Sequence, residues 1–219
     1  MAATKARFEN MAELLHALGG IPADRVRLDP PPGTATKNDL LRHHDRRRVS
    51  ELLDGTIVEK AVGHPESYIA IEITFALRLY LTRHDIGFVC GADSLVQTRP
   101  RRVRSPDVCF TSWLKTPERM VPSNPISDLI PDLAVEMLSR KNTRREMERK
   151  LEDYFTGGVR LVWIIDPKTR TAEVHTGPDA MTPIDESGSL DGRDVLPGFT
   201  LPLAKLFERL EKPRSKKRR

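Results

Sequence analysis

The sequence is poor in cysteine: Cys90 and Cys109 are the two examples in 219 residues. They form no CxxC pair and belong to no Cys/His cluster with the spacing of a zinc site. This scarcity excludes a secreted scaffold held together by disulfides, and it gives no support to a structural zinc site. We expect both cysteines to be small residues of the core.

Long hydrophobic runs are missing as well. The longest, Leu161 to Ile165, is far shorter than the roughly 20 residues of a membrane-spanning helix. Residues 1–20 carry charges of both signs and lack the apolar core of a signal peptide. These absences predict a soluble, cytoplasmic protein with no membrane partner.

A uniformly basic composition is also absent, although the net charge is +5. Six positive charges fall in the last eight residues, and residues 1–211 hold 30 Lys and Arg against 31 Asp and Glu, a net charge of −1. The body is therefore not a basic coat for nucleic acid. We expect the tail, 212–219, to be disordered and to add only salt-sensitive attraction to a polyanion.

The chain is long enough, and with 38% hydrophobic residues apolar enough, to bury one sizeable core. Three parts are predicted. Residues 1–35 form an N-terminal helical extension with a Pro-rich linker, residues 36–211 form the main domain, and residues 212–219 form the basic tail.

The main domain alternates strand and helix signals. Asp54-Gly55 predicts a β-hairpin, Pro65 begins a helix that reaches about Arg83, and Thr143 begins a second helix through a capping box. Strand-like runs lie at 87–97, 103–111, 132–138, 159–166 and 171–176, and a short terminal helix is predicted at 203–210. This order predicts an α/β fold in which helices flank a mixed central β-sheet.

Two acids interrupt patterns that are otherwise apolar. Asp107 begins a strand directly behind Pro106, and Glu136 lies on the same strand face as Ala134 and Leu138. A lone buried carboxylate is costly, and two on adjacent strands repel unless a cation lies between them. The alternative is an ordinary structural role, in which Asp107 caps a turn and Glu136 pairs with an arginine such as Arg104.

The pattern continues on the two helices. Glu66 falls inside the apolar stripe of the first helix, and Lys150 flanks the buried face of the second, one turn before Tyr154. Convergence of these groups would make a site of oxygen ligands, suited to Mg²⁺ or Mn²⁺ and to phosphodiester hydrolysis. Alternatively, Glu66 is an ordinary acid at a helix N-terminus, and Lys150 extends from the helix edge into solvent.

Several motifs, in this order, resemble the PD-(D/E)XK nuclease superfamily. They more specifically resemble the Uma-two family, described as restriction endonucleases and also as a domain of unknown function. The motifs are ELLDG at 51–55, RSPDV at 104–108, PDLAVEMLS at 131–139, and Lys150 followed by VWIIDP at 162–167. The resemblance covers about residues 36–200.

The resemblance implies a restriction-endonuclease-like core in which Asp107 and Glu136 bind the metal, assisted by the backbone carbonyl of Met137. Leu138 stands where the superfamily usually has its catalytic lysine. In this family a lysine on the next helix, here Lys150, is expected to take that role.

The resemblance also implies an accessory acid on the first helix. Glu66 matches this acid, and Glu59 and Glu72 are the alternatives. The start of that helix, His64-Pro65-Glu66-Ser67, departs from the usual family pattern.

Arginines precede Asp107 closely in the sequence. Arg101, Arg102 and Arg104 are therefore candidates for contacts to the phosphates of a nucleic acid. The alternative is that they form a plain solvated surface.

The sequence thus predicts a Mg²⁺-dependent endonuclease that cuts DNA. Its catalytic residues would be Asp107, Glu136, Lys150 and Glu66. The alternative is a non-catalytic nucleic-acid-binding protein that retains the fold, as the missing lysine and the basic tail suggest. By resemblance, a homodimer that cuts both strands is a further expectation.

Overall fold

The computed structural model describes residues 8–44, 49–61, 63–116 and 118–210. The basic tail predicted at 212–219 lies outside these residues. Within them, no helix is long and apolar enough to cross a membrane.

The described residues form five α-helices and thirteen strands. The helices are α1 (Met11–Ala17), α2 (Lys37–His44), α3 (His64–Leu81), α4 (Arg144–Gly157) and α5 (Leu203–Phe207). The strands are β1 (Ser50–Leu53), β2 (Thr56–Glu59), β3 (Gly87–Gly91), β4 (Leu95–Arg99), β5 (Arg102–Arg104), β6 (Val108–Ser112), β7 (Ile126–Ser127), β8 (Leu133–Met137), β9 (Leu161–Asp166), β10 (Thr171–His175), β11 (Met181–Ile184), β12 (Ser189–Asp191) and β13 (Thr200–Pro202).

A six-stranded mixed sheet forms the centre of the protein, in the order β11-β10-β9-β8-β6-β3. The neighbours β8 and β9 run parallel, and the other pairs are antiparallel. Every residue of β8 is buried, as are the first five of the six residues of β9. Apart from Glu136 in β8 and Asp166 at the end of β9, both strands are apolar, which reflects cover on both faces of the sheet.

Two helices provide this cover. On one face, Ile69, Ile73 and Leu77 of α3 pack into the main hydrophobic core. On the other, Met147 and Leu151 of α4 pack with residues of β8 and β9. The helical spacing of these residues is what lets each helix bury one stripe against the sheet.

A second, five-stranded sheet lies in the order β2-β1-β5-β4-β7. Its first hairpin turns at Asp54-Gly55, where both residues have positive φ, 50° and 82°. This conformation is the one that an Asp-Gly pair favours in a two-residue turn. The chain leaves this sheet at Arg104 and enters the large sheet at Val108, so residues 105–107 connect the two sheets.

The N-terminal segment packs directly onto the main domain. Leu14, Ile21 and Val26 form a hydrophobic cluster with Leu53 and Val58 of the first hairpin. The segment predicted as an extension and linker is therefore part of the packed structure over residues 8–35.

The predicted fold class is confirmed, with one difference in detail: the strands form two mixed sheets, and a two-stranded sheet of β12 and β13, rather than one mixed sheet. The run at 87–97 is divided by a turn at Ala92-Asp93, because the chain passes from the large sheet to the small one there. Strands also lie within the weakly patterned residues 177–200, where the first three residues of β11 are exposed. An exposed strand has no alternating pattern from which it could be predicted.

Candidate active site

Asp107 lies at the connection between the two sheets, immediately before β6. Its backbone N–H donates to the carbonyl of Val135, and its carboxylate Oδ2 accepts a hydrogen bond from the N–H of Met137, at 3.0 and 2.7 Å. Both contacts tie Asp107 to β8. The carboxylate is thereby fixed beside the strand that carries Glu136.

Glu136 is buried within β8, with 2% of its surface exposed. Its Oε2 lies 2.8 Å from Nζ of Lys150, and its Oε1 accepts a hydrogen bond from the hydroxyl of Tyr154 at 2.5 Å. Lys150 and Tyr154 are four residues apart, so α4 presents both on one face. The structure thus brings Glu136 and Lys150 together.

Lys60, which directly follows β2, connects the two acids. Its Nζ lies 2.8 Å from Oδ1 of Asp107 and 3.5 Å from Oε2 of Glu136, and it donates to the carbonyl of Ser105 at 2.5 Å. The two carboxylates therefore converge on one positive charge. Lys60 was not predicted from the sequence, because a lysine at the end of a hairpin has the pattern of an ordinary solvated residue.

Glu51 of β1 is a third acid in this cluster, with 1% of its surface exposed. Its Oε1 lies 3.4 Å from Nζ of Lys150, and its Oε2 accepts a hydrogen bond from Arg104 at 2.7 Å. Glu51 stands in the ELLDG motif, but nothing in the spacing of that motif indicates contact with Lys150. The residue was therefore not predicted as part of the site.

The electrostatics of the cluster are dominated by burial and close pairing. Burial alone would raise the pKa of Glu51, but the charges of Lys150, Arg104 and Lys60 outweigh this effect and hold the pKa below its ordinary value. Burial would lower the pKa of Lys60, but the three acids raise it above its ordinary value. Glu51 is therefore a carboxylate, and Lys60 an ammonium, at neutral pH.

Tyr154 remains a phenol at neutral pH. Burial, followed by the charge of Glu136, raises its pKa well above the ordinary value. The hydroxyl therefore acts as a hydrogen-bond donor that fixes one oxygen of Glu136.

The three candidates for the accessory acid lie elsewhere. The carboxylate of Glu66 lies against Gly63 in the first turn of α3, Glu59 pairs with Arg27 at 2.5 Å, and Glu72 contacts Tyr68. Among the described contacts, none of the three reaches Asp107 or Glu136. Besides Glu136, the acid that contacts Lys150 is Glu51, and the pairing of β1 with β5 places Glu51 beside Arg104 as well.

Glu66 faces a large surface cleft, of about 2090 Å³, that is lined by the start of α3, the start of α4 and the strand ends of β9 and β10. Neither Asp107 nor Glu136 lines this cleft.

The arginines predicted to contact phosphates instead bind acids and backbone carbonyls of the protein itself. Arg104 is 1% exposed and pairs with Glu51 and Asp153 at 2.7 and 2.5 Å. Arg102 pairs with Asp54 and Asp153, and Arg101 donates to the carbonyls of residues 33 and 54. The prediction is wrong for Arg104, since a buried and doubly paired guanidinium cannot reach a phosphate.

The donor chemistry fits Mg²⁺ or Mn²⁺. In the described residues, no group of three or more His, Cys, Asp or Glu side chains forms a metal cluster. Mg²⁺ is, however, commonly held by one or two carboxylates, with water and phosphate oxygens completing its shell. Asp107 and Glu136 provide two such carboxylates directed at a common cation, Lys60.

The protein has two mixed sheets flanked by helices, with Asp107 just before β6 and Glu136 within the neighbouring strand β8. This arrangement defines a nuclease-like fold of the restriction-endonuclease class. A family model described as "Putative restriction endonuclease", Uma2, matches residues 38–204. The chain belongs to this family. The match begins close to the predicted domain start at residue 36.

The fold is also found in a solved structure. The chain is similar to a "putative nuclease" of the DUF820 group from Anabaena variabilis ATCC 29413, with a TM-score of 0.64 and 18% sequence identity. The similarity covers 73% of this chain and 89% of the other. No curated protein matches the chain.

Proposed function

We propose that this protein is an endonuclease that hydrolyses DNA phosphodiester bonds and depends on Mg²⁺, with Mn²⁺ as a substitute. The observation that carries the proposal is the convergence of Asp107 and Glu136 on a single positive charge, 2.8 and 3.5 Å from their carboxylates. Family membership supports the nuclease class, and the metal and the substrate are our own assignment.

Asp107 and Glu136 would hold the metal, together with the backbone carbonyl of Met137. Bound there, Mg²⁺ would supply Lewis-acid chemistry, polarising a phosphoryl oxygen and making water more acidic. The hydrogen bond from the Met137 N–H to Asp107 Oδ2 keeps that carboxylate oriented. The Tyr154 hydroxyl does the same for Glu136.

Lys150 would stabilise the charge that develops on the phosphate, or orient the attacking water. Its ammonium is held between Glu136 and Glu51, at 2.8 and 3.4 Å, on a helix packed against the sheet. Leu138 is partly buried, packs against the apolar cluster under α4 and lines the cleft, so the position of the superfamily lysine holds an apolar side chain. Lys150 is therefore the ammonium at this site that α4 places beside Glu136.

The proposal is tested by cleavage of supercoiled plasmid with Mg²⁺. We compare the wild type with Asp107→Asn and Glu136→Gln, and we use Asp194→Asn as the matched control, because Asp194 is a 77% exposed acid. We expect each site variant to lose about 10²-fold or more in cleavage rate, since even outer-shell changes at metal sites cost 10- to 100-fold. The control should cleave at the wild-type rate.

Equal cleavage by all four proteins, or cleavage that persists in excess chelator, would refute the proposed function. Salt-sensitive retention of DNA without turnover would instead favour the non-catalytic binding protein. A parallel reaction with duplex RNA tests the assignment to DNA.

A further inference from the structure

Lys60 holds the place between the two acids that a divalent cation would need. Its side chain is 5% exposed, and its ammonium contacts Asp107, Glu136 and the carbonyl of Ser105. The backbone N–H of Lys60 donates to the carbonyl of Val49 at 2.9 Å, which fixes the base of the side chain beside the first hairpin. The ammonium thus reaches the acids from the small sheet, whereas Glu136 belongs to the large sheet and Asp107 to the connection between the two.

The charges of the cluster are balanced when Lys60 is present. The three acids Glu51, Asp107 and Glu136 are contacted by three bases, Lys60, Lys150 and Arg104. Arg104 also pairs with Asp153, which is held in turn by Arg99 and Arg102. Buried charges are tolerated when each is compensated by a partner. A divalent cation added to this balanced set would leave uncompensated positive charge, unless one of the three bases withdrew.

Of the three bases, Lys60 is the one whose ammonium can leave the two acids. Arg104 is also held by Asp153, and Lys150 is also held by Glu51 and lies on the buried face of α4. Lys60 contacts Asp107, whose side chain, at 17%, is the most exposed of the three acids. A lysine stem is long and flexible, so its ammonium can move to solvent while the backbone stays in place.

We propose that Lys60 is a built-in substitute for the metal: its ammonium neutralises Asp107 and Glu136 in the metal-free protein and is displaced when a divalent cation binds. This inference rests on the proposed function, because it requires a metal between the same two acids. It makes Lys60 a positioning residue that sets how tightly the metal binds and keeps the two acids together before it does.

The first test measures Mn²⁺ binding directly, by the loss of the free-ion signal in electron paramagnetic resonance. Lys60→Met removes the charge but keeps the stem, and Lys60→Gln is a second variant that can still donate to Asp107. We expect both to bind Mn²⁺ at least about tenfold more tightly than the wild type, since a competing charge a few ångströms away is gone. Adding Asp107→Asn to Lys60→Met should abolish the gain and so locate it at this site.

Lys150→Met is the matched control, because it removes a neighbouring buried ammonium that does not lie between the two acids. A smaller gain in affinity than that of Lys60→Met supports displacement. An equal gain would mean that any lost positive charge has this effect, and it would overturn the inference.

The second test uses the wild-type protein and does not depend on how a variant folds. Lysines are acetylated with a small amine-reactive reagent, and the peptides are quantified by mass spectrometry with and without Mn²⁺. We expect acetylation of Lys60 to rise several-fold with Mn²⁺, because the ammonium moves to solvent, while Lys150 stays protected. Unchanged acetylation of Lys60 at saturating Mn²⁺ would overturn the inference.

The outcomes separate this inference from the proposed function. Tight Mn²⁺ binding that is equal in the wild type and both Lys60 variants would refute the displacement but leave the metal-dependent nuclease standing. Absence of binding in every protein would refute both.

Discussion

Each buried acid of the cluster is paired with at least one lysine or arginine. These pairs determine how much the loss of each acid should cost. Glu51 is 1% exposed and contacts Lys150, Arg104 and the N–H of Ser105. Removing one partner of such a buried pair leaves the other charge uncompensated, which costs several kcal/mol. Glu66 forms no ion pair with the described residues; its carboxylate lies at the start of α3 and faces the cleft.

This difference predicts unequal effects of two acid-to-amide changes. We expect Glu51→Gln to lower the rate of plasmid cleavage on the order of 10²-fold, because Lys150 would lose one of the two acids that position it. Glu66→Gln should lower the rate of plasmid cleavage by a smaller factor. Circular dichroism and melting temperature establish that each variant is folded before its rate is compared.

A larger loss for Glu66→Gln than for a folded Glu51→Gln would return the role of third acid to Glu66. A loss of similar size in both would mean that the cleft and the cluster act together on the substrate.

Single residues were predictable from the sequence only where they broke a local pattern. Asp107 and Glu136 did so, as acids within apolar strands, and Lys150 did so at the edge of a buried helix face. Lys60 and Glu51 did not, because a hairpin strand with polar ends is ordinary. Their importance comes from contacts to residues 45 to 99 positions away in the chain.

At the scale of elements, α4 links the candidate site to the N-terminal segment. Thr143 and Glu146 form a capping box at its start, and Gly158 ends it with φ 105°. Glu146 also forms a two-hydrogen-bond pair with Arg25 of the N-terminal segment, at 2.7 and 3.0 Å. The position of α4, and so of Lys150, is therefore coupled to residues before the main domain.

The pair of Glu146 and Arg25 predicts a pH-dependent contribution to stability. Burial raises the pKa of Glu146, but Arg25, among other partners, lowers it further, so the folded value lies below the ordinary 4.5. Because the folded pKa is depressed, the contribution is fully present above about pH 4.5 and is lost as the pH falls through the folded pKa. We expect Glu146→Gln to lower the free energy of unfolding at pH 7 by about 3 kcal/mol.

The measurement is urea unfolding at pH 7 and at successively lower pH. The gap between the wild type and Glu146→Gln should narrow as the pH falls. Glu148→Gln is the matched control, since Glu148 is a 57% exposed acid of the same helix, and its effect should stay below about 0.5 kcal/mol. A gap that is independent of pH would contradict the ionic account of this pair.

The elements themselves were mostly predictable, because their signals are local. The capping box, the Asp-Gly hairpin and the apolar stripe of α3 each depend on residues a few positions apart. The division of the strands into two sheets was not predictable in this way. It depends on which strands pair at long range, such as β1 with β5 and β4 with β7.

At the scale of the whole molecule, the candidate site lies where the two sheets meet. The small sheet contributes Glu51, Arg104 and the hairpin that ends in Lys60, and the large sheet contributes Glu136, with Asp107 on the connection between them. Only this juxtaposition surrounds the two acids with cations. That is why the sequence could indicate two candidate ligands but not the charge balance around them.

The central claim is that Asp107 and Glu136 together bind one divalent cation. Crystals of the wild-type protein grown with Mn²⁺, with data collected for anomalous scattering of manganese, test this most directly. We predict one anomalous peak between the two carboxylates, with the ammonium of Lys60 moved away from it. A map with no peak there, with Lys60 still contacting both acids at saturating Mn²⁺, would contradict the account.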